Sequence, residues 1–158
     1  MNKPKKAFLH CAATPDYPKS NPAFDMFGAA DIEKWHKQRG WREIGYHYVI
    51  RRTGVVEVGS RSLDEYGAHV RGHNKDSLGI CLIGTRWPTK EQFDSLIALY
   101  GLLYEKFGIK WDNWFGHYEV DSQKTCPSFS MILTRKLFEA EHRRLEEDGP
   151  RPIKVVQV

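Results

Sequence analysis

The run Leu78-Gly79-Ile80-Cys81-Leu82-Ile83 carries no charged or amide side chain at either parity. A strand sends alternate side chains to opposite faces, so a strand over this run must be covered on both, as at the centre of a sheet layered between helices. The next segment supplies a covering helix. Thr89 with Gln92 makes a capping-box pattern, and Phe93, Leu96, Ile97, Tyr100, Leu103, Tyr104 and Phe107 recur at helical spacing until Gly108 ends them.

The flanking segments extend the same architecture. Ala7–Ala13 reads as a short buried strand, followed by a loop rich in proline from Pro15 to Pro22. Asp31–Gln38 reads as a helix with Ile32 and Trp35 on one face and Gly40 as its stop. Tyr46–Arg51 and Val55–Val58 flank Thr53-Gly54 as a hairpin, Trp111–Phe115 as a short strand, and Ser130–Glu147 as a last helix. Beyond Gly149, Pro150 and Pro152, the segment Ile153–Val158 is either a loose tail or an added edge strand. The fold expected is α/β: a single domain with a central mixed β-sheet flanked by helices, over residues 1–147, with 148–158 as a C-terminal tail.

At 158 residues the chain is long enough to bury a core without a disulfide or metal staple. Its longest apolar runs fall far short of the roughly 20 residues a bilayer helix needs, which excludes a membrane-spanning role. Three lysines precede Ala7, but the apolar stretch after them is short and interrupted by His10, so the expectation is a protein made and kept in the cytoplasm. Three cysteines leave an odd thiol under any pairing, which points to reduced thiols or metal ligation. The net charge of +4 allows only a weak attraction to polyanions.

Chemistry concentrates in two places. His10 projects from the first expected strand, and the loop Gly116–Pro127 offers His117 and Cys126. Catalytic zinc sites usually take three protein ligands and leave the fourth position to water, so this set points to hydrolysis. Lys124 stands just before Cys126, where an ammonium favours the thiolate and offers a donor to an oxyanion. The competing reading buries Cys126 as a small core residue and leaves Lys124 in solvent. Spacing alone does not choose between them, because the histidines come from distant segments.

Several blocks carry a resemblance: Phe8–Thr14, Trp35–Trp41, Gly45–Ile50, Gly67–His69, Asn74 with Ser77–Gly84, and Lys124–Phe129. In this order they resemble zinc-dependent N-acetylmuramoyl-L-alanine amidases of the type 2 family, which includes peptidoglycan recognition proteins and short phage endolysins. The resemblance runs from about Phe8 to Phe129. It implies Zn2+ as cofactor with His10, His117 and Cys126 as ligands in an open groove, Tyr46 and Lys124 as catalytic residues, and peptidoglycan as substrate. Two departures are a longer loop from Pro15 to Met26 and one extra residue between His117 and Cys126.

Position in a Gly-rich loop before the central strand makes His69 and Asn74 candidates for substrate contact. His36 and His142 fall in helix patterns as ordinary side chains, His47 is expected to face away from Tyr46, and Cys11 and Cys81 read as core thiols. The resemblance also raises a second partner, a cognate phage RNA polymerase. It further implies a monomer that reaches the periplasmic wall from the host cytoplasm once the inner membrane is breached. A peptidoglycan-binding module without catalysis and a cytosolic wall-recycling amidase are the alternatives.

Overall fold

The computed structural model describes residues 1–158. Its central strand is β4, Ser77–Leu82, buried along its whole length. It lies parallel to β1 (Lys6–Cys11) on one side and to β2 (Tyr48–Ile50) on the other. β5 (Trp114–Gly116) adds in parallel beyond β1, and β3 (Val56–Val58) runs antiparallel beyond β2. The far edge is β6 (Val155–Gln157), parallel to β3, so the final segment takes the edge-strand form. The sheet order β5-β1-β4-β2-β3-β6 is mixed, as the sequence predicts.

Helices cover both faces unequally. α2 (Lys90–Phe107) begins at Thr89, whose hydroxyl accepts the Gln92 amide at 3.1 Å, while Gln92 Oε1 accepts the Thr89 amide at 3.0 Å. Gln92 also anchors the helix to the sheet, its Nε2 donating to the carbonyls of Ile50 and Ile83 at 3.1 and 2.8 Å. α3 (Met131–Asp148) starts from Ser130, whose hydroxyl accepts the Leu133 amide. From α2 and α3, Leu96, Leu99, Tyr100, Leu103 and Phe138 close on Ala7, Leu9, Leu78, Ile80 and Leu82. Each such leucine, isoleucine or phenylalanine contributes about 1.5–3 kcal/mol on burial. α1 (Ala29–Gln38) covers the other face, with Ala29 and Ile32 against Val49, Cys81 and Ile83. The first cluster has 16 buried residues and the second 6, so the thinner α1 face can hold polar groups without emptying the core.

Beyond shifts of a residue at the strand ends, these boundaries differ from the sequence reading. The first strand ends at Cys11 because Ala13, at φ 58°, turns the chain out of the sheet. α1 starts at Ala29, since Asp31 is a capping residue whose Oδ2 accepts the Gly28 amide at 2.9 Å. Trp111–Asn113 forms a 3₁₀ turn, leaving only Trp114–Gly116 as strand. β2 begins at Tyr48, so strand alternation does not separate Tyr46 from His47. Their rings instead lie near the same histidine pair, Tyr46 at 5.1 Å from His10 and His47 at 6.0 Å from His69.

Candidate metal centre

In the parallel β1–β5 ladder Leu9 stands opposite Gly116, so the residues that follow, His10 in β1 and His117 just beyond β5, emerge side by side. Their ring centroids are 4.8 Å apart. This is the carboxyl end of the parallel strands, where open α/β sheets place their ligands. After His117 the chain makes a 3₁₀ turn through Glu119 and loops back, and the Tyr118 amide donates to the Cys126 carbonyl at 2.9 Å. That contact carries the thiol to β1, where the Cys11 amide donates to Cys126 Sγ at 3.0 Å.

Donor atoms of His10, His117 and Cys126 lie within 4.8 Å of one another. A tetrahedral zinc with nitrogen at about 2.0–2.1 Å and sulfur at about 2.3 Å needs donors roughly 3.3–3.6 Å apart. A closure of about an ångström, within the reach of side-chain rotation, brings the set to that spacing. Two imidazoles and a thiol with an amide already aimed at the sulfur are a donor set suited to zinc.

The electrostatics divide the ligands. Burial holds His10 well below the ordinary imidazole range, with His69 and His117 adding to the effect. His117 is also lowered, first by partial burial and then by the Lys124 charge, against which Asp121 acts. Both are therefore neutral at pH 7, the form that binds a metal. The Cys126 thiol is pushed up, first by its hydrogen bond with Cys11 and then by burial, whereas Cys11 is drawn down to about 6 by that same bond.

Tyr46 and Lys124 complete the opening. Burial, followed by the surrounding thiols Cys81, Cys126 and Cys11, raises the Tyr46 hydroxyl well above its ordinary value, so it is a neutral donor. Behind Tyr46, the His36 ring lies at 5.6 Å, and its Nδ1 accepts the Gly45 amide at 2.9 Å. Lys124 is exposed on the rim, its amide donating to the Asp121 carbonyl at 3.1 Å. The turn that holds His117 is braced by Glu119, which accepts the Gly116 amide at 2.9 Å and pairs with Arg135 at 2.7 Å. Cys126, His117 and Tyr46 are half-buried, so the centre opens to solvent on one side.

His69 and Asn74 lie one layer deeper. His69 is buried beneath His10, with its Nδ1 3.0 Å from His10 Nε2. Asn74 Oδ1 accepts the amides of His69 and Val70 at 2.8 and 2.9 Å. Sequence reasoning missed Cys11, whose thiol is half-buried rather than in the core and whose amide reaches the site. Its adjacency to His10 was the available signal. The bracing by Arg135 had none, because nothing local ties α3 to the His117 turn.

Residues 1–129 match the family model described as N-acetylmuramoyl-L-alanine amidase. The endolysin of Klebsiella phage KP32 is 38% identical over 130 residues, covering 78% of this chain and 80% of that protein. Among solved structures, the N-acetylmuramoyl-L-alanine amidase LysC from Clostridium intestinale superposes with a TM-score of 0.71 at 30% identity, covering 92% of this chain and 87% of the other. A mutant of the Drosophila peptidoglycan recognition protein LB, solved in complex with tracheal cytotoxin, has a TM-score of 0.66 at 27% identity, with coverage of 80% and 76%.

Proposed function

The chain belongs to the N-acetylmuramoyl-L-alanine amidase family, and from that premise we propose that it cleaves the amide between N-acetylmuramic acid and L-alanine at a zinc ion held by His10, His117 and Cys126. Peptidoglycan hydrolysis of the endolysin type is the activity its relatives carry. The observation that carries the zinc reading is the convergence of these donors within 4.8 Å from two distant segments, β1 and the His117–Cys126 loop.

A zinc ion there supplies Lewis acidity, polarising a carbonyl and lowering the pKa of a water toward about 7. The chain's own residues do the rest. His10 and His117, neutral at pH 7, each present a lone pair, and Cys126 gives up its proton as it becomes a ligand. Lys124 on the rim stabilises the oxyanion that develops on the scissile carbonyl. Tyr46, kept protonated by its surroundings, donates a hydrogen bond to that oxygen or passes its proton toward the leaving amine.

No helix is long and apolar enough to cross a membrane, and the proposed setting is the host cytoplasm, with access to the wall after the inner membrane is permeabilised. Nothing in the site's geometry bears on a polymerase partner. Product analysis tests the reading: purified wall digested by the protein should release stem peptides with free L-alanine amino ends from intact glycan strands. New reducing sugar ends, or peptides cut within the stem, would replace this bond by another.

A further inference from the structure

We propose that His69 is a positioning residue for the metal centre, fixing the tautomer and orientation of His10 so that His10 Nδ1 is the free donor. The proposal rests on the zinc reading above, and it follows from a chain of hydrogen bonds with only one consistent polarity. His10 Nε2 lies 3.0 Å from His69 Nδ1, and His69 Nε2 lies 3.3 Å from Ser77 Oγ. The Ser77 hydroxyl donates to the His73 carbonyl at 2.8 Å. It also lies 3.1 Å from the Asn74 carbonyl, and carbonyl oxygens only accept, so the serine proton is directed to these carbonyls and the serine oxygen receives the His69 Nε2 proton. His69 Nδ1 is then a lone pair, and it accepts the proton carried by His10 Nε2. His10 Nδ1 is left bare.

The surroundings are shaped for this ring. A Cβ on Gly79 would come within 2.6 Å of His69 Cγ, and one on Gly67 within 2.5 Å of its Cδ2, so both glycines clear the space it fills. Asn74 fixes the backbone from which the ring hangs, through the amides of His69 and Val70. Phe8 closes a further side, with ring centroids 5.9 Å apart. At 8% exposure His69 has little surface to offer a wall polymer, whereas its contact with His10 is direct. Metal-bound histidines commonly donate their second ring N–H to an acceptor, a part His69 Nδ1 takes here, and losing such an outer partner costs about 10- to 100-fold in metal affinity.

Zinc affinity, read by competition against a chromophoric chelator, separates this role from substrate contact. His69→Ala should weaken zinc binding about 10- to 100-fold, whereas His69→Asn, whose Oδ1 can stand where Nδ1 stood, should recover most of it. Long-range 1H–15N spectra of the metal-free parent should show His10 with its proton on Nε2. Folded His69→Ala with parental zinc affinity and a raised KM for wall fragments would overturn the proposal in favour of substrate contact. A His10 proton on Nδ1 would overturn it whether or not the variants fold. Failure of the parent to bind zinc at all would count against the zinc reading, and the tautomer would then decide the role of His69 alone.

Discussion

His10 and His117 are neighbours because Leu9 and Gly116 are paired in the parallel β1–β5 ladder, which sets the two imidazole centroids 4.8 Å apart at the ends of adjacent strands. The metal centre is thus held by the sheet on one side and by a loop on the other. Cys126 is the loop's contribution, fastened by the Cys11 amide and by the Tyr118–Cys126 backbone bond.

Cys126→Ser should abolish tight zinc binding and amide cleavage while leaving the fold intact, because Cys126 is half-buried on a loop and belongs to neither core cluster. Circular dichroism and zinc content measured on the same sample check this. A variant that keeps stoichiometric zinc would remove Cys126 from the ligand set.

Tyr46→Phe and Lys124→Ala should each lower turnover by about a hundredfold to a thousandfold, the usual loss for one transition-state donor. Zinc content should hardly change, since neither side chain is among the converging donors. Near-parental rates in either variant would take that residue out of the chemistry.

Zinc affinity should rise with pH through the neutral range. The histidines are already neutral there, whereas the Cys126 thiol, pushed up by its hydrogen bond with Cys11 and by burial, must become a thiolate to serve as a ligand. A proton released to solvent on zinc binding gives a gain of up to about tenfold in affinity per pH unit, reduced by the share that Cys11 takes up when its bond with Cys126 is lost. Calorimetry in buffers of different ionisation enthalpy counts that proton. A pH-independent affinity would mean that the thiol is already ionised.

Buried histidines should make the fold acid-sensitive before its carboxylates titrate. Burial lowers both His36 and His47 to about 4, while an unfolded imidazole titrates near 6.5. Between those values the unfolded chain binds protons that the folded chain refuses, so stability is full above about pH 6.5 and falls as pH drops toward 4. Each histidine contributes at most about 1.4 kcal/mol per pH unit in that window, with His36 contributing less because solvent screens it more than His47. Denaturant midpoints across pH 7 to 4 should show this slope, and His47→Gln should flatten it; an unchanged slope would locate the acid sensitivity elsewhere.

The sequence made local features legible and non-local ones much less so. α2 could be read because Thr89, Gln92 and the apolar spacing lie within one continuous stretch, and β4 because its run is apolar on both faces. The ligands could be named from resemblance, yet the pairing of β1 with β5 that makes them neighbours has no local signature. His69 was placed near the site by its loop, but its inward turn depends on the space left by Gly79 on another element. The edge strand β6 has no local signature, because its hydrogen bonds are to β3, far back in the chain.

The most direct test of the central claim is wall amide hydrolysis by rigorously metal-free protein, followed by stepwise return of zinc. The account predicts no release of L-alanine amino ends without metal, and activity that rises with added zinc until one ion is bound per chain. Full release of those ends by protein shown to contain no metal would contradict it.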